Sequence, residues 1–208
     1  MAFEHYIYAD GKQLRCGYTT GTCAALAASG AVQRLLTGVW PETVSLRTPK
    51  GLTVEVPLEH CRMQGDTAQC SVRKDGGDDV DKTTGALIQA NVSLSDTPGV
   101  RIRGGQGVGR VTKPGLDQPV GEAAINRVPR QMIREAVEAA CRTADYDGGA
   151  EVTISVPEGE AIAQKTFNPQ MGIVGGISIL GTSGIVEPMS MQAMIDTMAL
   201  ELRQAAAQ

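Results

Sequence analysis

Only 3% of the 208 residues are aromatic, and histidine occurs just twice, as His5 and His60. So few rings offer no platform for stacking bases, and two histidines so far apart in sequence give a zinc cluster little support. Positive charge is scarce too. Nineteen lysines and arginines stand against 23 acidic residues, for a net charge of −4 and a pI near 5.2, which argues against a general nucleic-acid binder. The five cysteines, Cys16, Cys23, Cys61, Cys70 and Cys141, are odd in number and contain no CxxC pair. They read as reduced thiols rather than a disulfide framework. The opening MAFEHYIYADGK lacks both the basic start and the apolar run of a signal peptide. The longest apolar stretch, Gly172 to Leu180, is interrupted by glycines and falls far short of the ~20 residues that span a bilayer. A soluble, cytoplasmic protein with neither nucleic acid nor membrane as partner is expected.

What is abundant is glycine, 25 residues, alongside 42% hydrophobic residues. A buried core is therefore available, threaded by turns and close backbone approaches. Threonines precede an alanine-rich run after residue 19, predicting a helix from about Thr22 to Leu36 that Gly38 closes. Val44 and Leu46, then Leu52, Val54, Val56 and Leu58, alternate with polar neighbours around the turn signal Pro49-Lys50-Gly51, predicting a β-hairpin. Thr67 to Val72, Ile88 to Leu94, Val100 with Ile102, and Val152 to Val156 read as further strands. Met132, Ile133, Ala136, Val137 and Ala140 recur at helical spacing behind Pro129. A last helix is expected after Ser190, with Ala193, Met194, Thr197 and Met198 on one face. Strand pairs precede helices instead of alternating with them. That predicts an α+β fold, a layered, largely antiparallel sheet with helices packed on it.

Four segments are candidates for chemistry. Thr19-Thr20-Gly21-Thr22-Cys23 places hydroxyls and a glycine at a helix start, either a simple cap or an anion site made by free N–H groups and the helix dipole. Lys74 to Gly85 carries Asp75, Asp78, Asp79 and Asp81, either a solvated turn or carboxylates beside a ligand. Their order does not fit a calcium loop. Gly104 to Gly115 packs four glycines into six residues yet matches neither the dinucleotide fingerprint nor the P-loop, because Arg110 stands in the wrong place for both. Between Val100 and Arg134, seven basic residues face two acidic ones, either surface scatter or focused recognition of an anion. Arg101 and Arg103 would share one face of a strand. Phe167 to Pro188 is an apolar run punctuated by glycines, predicted as a buried strand with a tight turn at Gly181-Thr182-Ser183-Gly184.

Taken together, these strings resemble the CbiD family. The resemblance is carried by Arg15 with Gly17 to Ala25, by Lys74 to Asp81, by Gly104 to Gly115, by Val120 to Asn126 with Val128-Pro129-Arg130, and by Lys165 to Ser190. Val80, Thr84 and Arg127 depart from the family's usual proline, histidine and proline. The resemblance implies S-adenosylmethionine-dependent methylation of C-1 of cobalt-precorrin-5B, giving cobalt-precorrin-6A in anaerobic cobalamin biosynthesis. The cobalt would arrive within the substrate, so no protein metal ligand is required. On this reading Asp78, Asp79 or Asp81 is the candidate base. Thr19, Thr20, Gly21, Thr22, Arg101, Arg103, Gly105, Gly107, Gly109 and Lys113 would hold the carboxylate-fringed macrocycle, and Gly181, Thr182, Ser183 and Glu187 would border the S-adenosylmethionine cleft. Family members continue past the Gly184 to Ser190 string into a Rossmann-type second half. Residues 1–187 are therefore expected to form the CbiD-like domain, with 188–208 a helix leading toward that absent half or a companion polypeptide. Homo-oligomerisation is left open. The alternative is a non-catalytic tetrapyrrole-binding or structural partner domain.

Overall fold

The computed structural model describes residues 3–9, 11–190, 195, 198, 199 and 202. In chain order, β1 (Tyr6–Ala9) and β2 (Lys12–Arg15) form an antiparallel hairpin, and β3 (Gly17–Tyr18) runs into α1 (Thr20–Thr37). A second hairpin, β4 (Thr43–Arg47) with β5 (Thr53–Pro57), precedes β6 (Glu59–Gln64), β7 (Thr67–Arg73), β8 (Leu87–Ser95) and β9 (Gly99–Gly104). Two short strands, β10 (Gly107–Val108) and β11 (Arg110–Val111), lead to α2 (Arg127–Thr143), β12 (Gly149–Ser155) and the short α3 (Gly159–Ala163). Then come β13 (Ile173–Val174), β14 (Gly176–Ile177) and β15 (Ile185–Val186).

The main sheet has the order β6-β7-β8-β12-β9, antiparallel throughout except for the parallel pair β12–β9. This is the α+β layering that the strand-pair pattern predicts. Side chains alternate across the pleat, so the register sorts them into two faces. Ala68, Val92, Val152 and Ile102 form one apolar row, and Cys70, Ala90 and Ile154 form the next. Helix α1 covers this face at β7 and β8, and α2 packs beside α1. The opposite face is polar, with Gln69, Asn91, Thr153 and Arg103 aligned across four strands.

Helix α1 is buried from Thr20 to Val32, as a core helix must be when small residues cover every side of it. At Gly30 a Cβ would lie 2.4 Å from Leu58 Cδ1, so a larger residue there would require the Leu58 side chain to shift. Thr19 caps the start, its Oγ1 accepting from the Thr22 amide, and Gly38 closes the end in the left-handed region. Such a cap contributes about 1 kcal/mol. Leu26 is fully buried at the centre. Leu26→Ala is expected to lower unfolding stability by about 2–5 kcal/mol, read as a shift of the urea midpoint. Helix α2 is amphipathic instead, burying Pro129, Met132, Ile133, Ala136, Val137 and Cys141.

Three features depart from expectation. The Gly172–Glu187 run is not one buried strand. It breaks into β13, β14 and β15, each paired with a different partner strand, because Gly172, Gly175, Gly181 and Gly184 all take positive φ and redirect the chain. Strand β6 carries mostly polar residues at the sheet edge and is bulged between Glu59 and Arg62, so it shows no alternating apolar pattern. Of the expected last helix only residues 195, 198, 199 and 202 are described, each helical, and Met198 is the one among them on the predicted face.

Candidate functional site

Five strings, drawn from residues 19 to 186, meet around one cavity of about 1040 Å³. Thr19 and Thr20 contribute from the start of α1, Lys74, Asp81 and Thr83 from the acidic loop, and Val111 with Gly115 to Gln118 from the loop after β11. Ala124 and Asn126 come from the approach to α2, and residues of the 166–186 stretch close the far wall.

Hydrogen bonds between the strings fix this arrangement. The Thr20 hydroxyl accepts from the Leu180 amide at 2.9 Å, and the Gly21 amide donates to the Leu180 carbonyl at 3.0 Å. Thr22 Oγ1 donates to the Gly184 carbonyl at 2.7 Å. The first turn of α1 is thereby stitched to the far wall. The acidic loop is fastened to the chain just before α1. Arg15 grips the Asp75 carboxylate with both guanidinium nitrogens, at 2.6 and 2.9 Å, and the Tyr18 amide donates to the Asp75 carbonyl. Asp78 accepts from the Arg15 amide at 2.7 Å.

The charged centre of the cavity is an ion pair. Lys74 Nζ donates to Asp81 Oδ2 at 2.5 Å, and the lysine side chain is only 2% exposed. The other Asp81 oxygen accepts from the Thr83 amide and hydroxyl. Burial pushes the Asp81 carboxyl up, but Lys74 and the Thr83 donors outweigh it, and the group settles below the usual carboxylate range. Asp79 moves the other way, raised by burial and then by the neighbouring Asp81 charge. Two of the thiols are poor nucleophiles. Cys23 is fully buried and pushed up to about 12 by desolvation, and burial raises Cys70 further, which keeps both protonated and inert at neutral pH. Among the described residues no group of His, Cys, Asp and Glu is placed to hold a metal ion.

The Arg15 grip holds Asp75 below the ordinary carboxylate range. A carboxyl depressed on folding stabilises the native state above its unfolded pKa, and that contribution disappears as pH falls through the folded value. Wild-type stability should therefore fall on acidification from neutral pH toward and below the usual carboxylate range. Asp75→Asn should show a shallower acid limb in melting temperature against pH.

The proposed site residues divide. Thr19, Thr20, Asp81 and Thr182 line the cavity. Gly21 and Thr22 lie behind its wall, and their amides are already used, by Leu180 and by the Thr19 hydroxyl. That leaves little of the open helix-start anion site. The Asp78 carboxylate accepts from the Arg15 backbone amide, and the Asp79 carboxylate takes a backbone hydrogen bond from Met189. Arg101 and Arg103 do share a face, as alternation requires, but it is the polar face of the edge strand β9, where both pair with Glu151 on β12. The structure does not bring them to the cavity. Gly105, Gly107 and Gly109 approach protein, not ligand space: a Cβ there would meet Ser155, the Val156 carbonyl and Ile173, respectively. Lys113 donates to the Gln170 carbonyl. Gly181 is pressed on Thr19, Ser183 Oγ donates to the Ile185 carbonyl, and Glu187 pairs with Lys50. None of the seven basic residues between Val100 and Arg134 lines the cavity, and Arg130 is half-buried, donating to the Ile125 and Ile102 carbonyls.

Sequence reasoning passed over Lys74, Asn126 and the Leu116-Asp117 corner as site residues. Lys74 heads the acidic run, but nothing in its spacing shows that its stem is buried. Asn126 sits at the N-cap of α2 without a side-chain capping bond, which leaves its amide at the cavity wall.

Comparison with known proteins agrees with this architecture. The CbiD family model matches residues 7–188. The chain is 57% identical over 182 residues to the cobalt-precorrin-5B C(1)-methyltransferase of Geobacillus kaustophilus, covering 88% of this chain and 49% of that protein. It is 50% identical over 199 residues to the protein of the same name from Ruminiclostridium cellulolyticum, covering 96% and 52%. A crystal structure of the cobalamin biosynthesis protein CbiD from Archaeoglobus fulgidus superposes with a TM-score of 0.67 at 36% identity, over 94% of this chain and 62% of that one. The chain spans about half the length of the curated relatives it matches. The family match over most of its length, with the fold and the converging strings, shows that this chain belongs to the CbiD family.

Proposed function

We propose that this chain forms the N-terminal, cavity-bearing part of an enzyme that methylates C-1 of cobalt-precorrin-5B to give cobalt-precorrin-6A. The observation that carries the reading is the convergence of the strings that mark the family on one half-open cavity. S-adenosylmethionine would supply an electrophilic methyl group. The protein's part is alignment, which contributes up to about 7–11 kcal/mol through effective concentration. Hydrogen bonds from Thr20, Gly21 and Thr22 to the 178–184 stretch tie two sides of the wall together, which supports that task. Of the three aspartates offered as base, only Asp81 lines the cavity, and Lys74 holds it ionised; Asp79, although raised by burial, stands outside the lining. The relatives' additional length supports a second domain that completes the site, with residue 188 as the boundary.

The test is reconstitution. The chain is mixed with the C-terminal half of the Geobacillus kaustophilus relative, cobalt-precorrin-5B and methyl-labelled S-adenosylmethionine. Label is expected in the macrocycle. No transfer by the pair, where the intact relative transfers readily, would overturn the proposal. Macrocycle binding without transfer would favour the tetrapyrrole-binding module.

A further inference from the structure

The charge inside the cavity does not suit a polyanion. Its lining holds three charged side chains, Lys74, Asp81 and Asp117. Asp117 already accepts from the Arg127 amide at the start of α2. Lys74 and Asp81 answer each other, and Lys74 Nζ makes no other hydrogen bond among the described residues. The rest of the wall is mainly apolar, through Leu116, Phe167, Met171 and Ile177. A macrocycle fringed by carboxylates would bring several negative charges to one ammonium that is already paired, and buried charge without a partner is strongly unfavourable.

A zwitterion meets no such obstacle. Its carboxylate can take Lys74 while its ammonium takes Asp81, so one ion pair becomes two and the buried net charge is unchanged. A flat nucleoside attached to that zwitterion suits the apolar wall, with the uncapped Asn126 amide available to its polar edge. A positive sulfonium between the two would be attracted by the lining's excess of carboxylates. We propose that this cavity holds the nucleoside sulfonium donor, not the macrocycle, with the donor's amino-acid end inserted between Lys74 and Asp81. The proposal rests on the methyltransferase reading and assigns its two substrates to different places: the donor inside, the macrocycle at the mouth.

The experiment is calorimetric titration of the chain with S-adenosylhomocysteine and with 5′-methylthioadenosine, which lacks the amino-acid end. A corrinoid heptacarboxylate serves as competitor. The wild type should bind S-adenosylhomocysteine at least about tenfold more tightly than methylthioadenosine, the difference expected from charge-assisted hydrogen bonds. Lys74→Met with Asp81→Asn removes both charges at once, leaving no lone ion behind. It should erase that preference while affinity for methylthioadenosine stays within about twofold. Failure of S-adenosylhomocysteine to bind, equal wild-type affinity for the two nucleosides, or one-for-one displacement by the corrinoid would each overturn the assignment. The wild-type comparison decides the matter even if the double variant does not fold. Label transfer in the reconstituted pair combined with failure here would move the donor elsewhere. The reverse result would keep the donor pocket and discard the macrocycle substrate.

Discussion

Asp81→Ala is expected to destabilise the chain by about 3 kcal/mol, the lower end of the cost of breaking a buried ion pair. The lysine side chain is 2% exposed and loses its acceptor, whereas Asp81 keeps 23% exposure at a cavity that admits water. The penalty comes from a stranded ammonium, so a second change should remove it. Lys74→Met on the Asp81→Ala background is expected to recover most of the loss, because two neutral side chains leave nothing unpaired. Chemical denaturation of the two single variants and the double variant measures the coupling directly. A single-variant loss below about 1 kcal/mol would mean the pair is solvated. The pH dependence has a fixed sign. Asp81 is depressed on folding, so the pair's contribution is present at neutral pH and fades as acid protonates the carboxyl.

Gly107→Ala is the other change expected to be severe, at more than about 3 kcal/mol. Gly107 has φ +69, and a Cβ there would sit 1.9 Å from the Val156 carbonyl oxygen and 3.1 Å from Gly159 Cα. The obstacle is backbone, which cannot rotate away. Left-handed strain of about 1–2 kcal/mol therefore adds to overpacking of about 1–3 kcal/mol. Gly65→Ala separates the two contributions. Gly65 is also left-handed, at φ +57, but nothing lies within 4 Å of its Cβ position, so only the conformational part, about 1–2 kcal/mol, should appear. Equal losses for the two variants would show that the contact with Val156 is not what requires glycine at position 107.

How much of this was legible depended on how local each cause is. Helix α1 was readable because threonine, alanine and glycine act through their own turn, although the start came two residues earlier than Thr22, with Thr19 as cap. The β4–β5 hairpin and the apolar face of α2 followed from period two and period 3.6 in the same way. The 172–187 stretch failed because β13, β14 and β15 exist only through partners more than 60 residues away in sequence. At the site, the strings that mark the family meet around the cavity, but of the residues nominated within them only Thr19, Thr20, Asp81 and Thr182 line it. Arginine at positions 101 and 103 showed a shared face and could not show which face. The glycines of the 104–109 stretch signalled close approach and could not show that protein itself was the neighbour. Lys74 looked like the edge of a solvated turn until α1 and the 166–186 stretch closed around it.

The position of β12 has a consequence for biogenesis. Strands β8 and β9 emerge from the ribosome one after the other, yet neither completes its pairing until residues 149–155 arrive and slot between them. Until then β9 has no neighbour in the main sheet, and the most hydrophobic row of β8 lacks a flank. Such non-local closure is slow and leaves nascent chains open to misassembly. A polypeptide released before Ser155 should be a chaperone client, with the commitment to the native state made as that one inner ribbon is inserted.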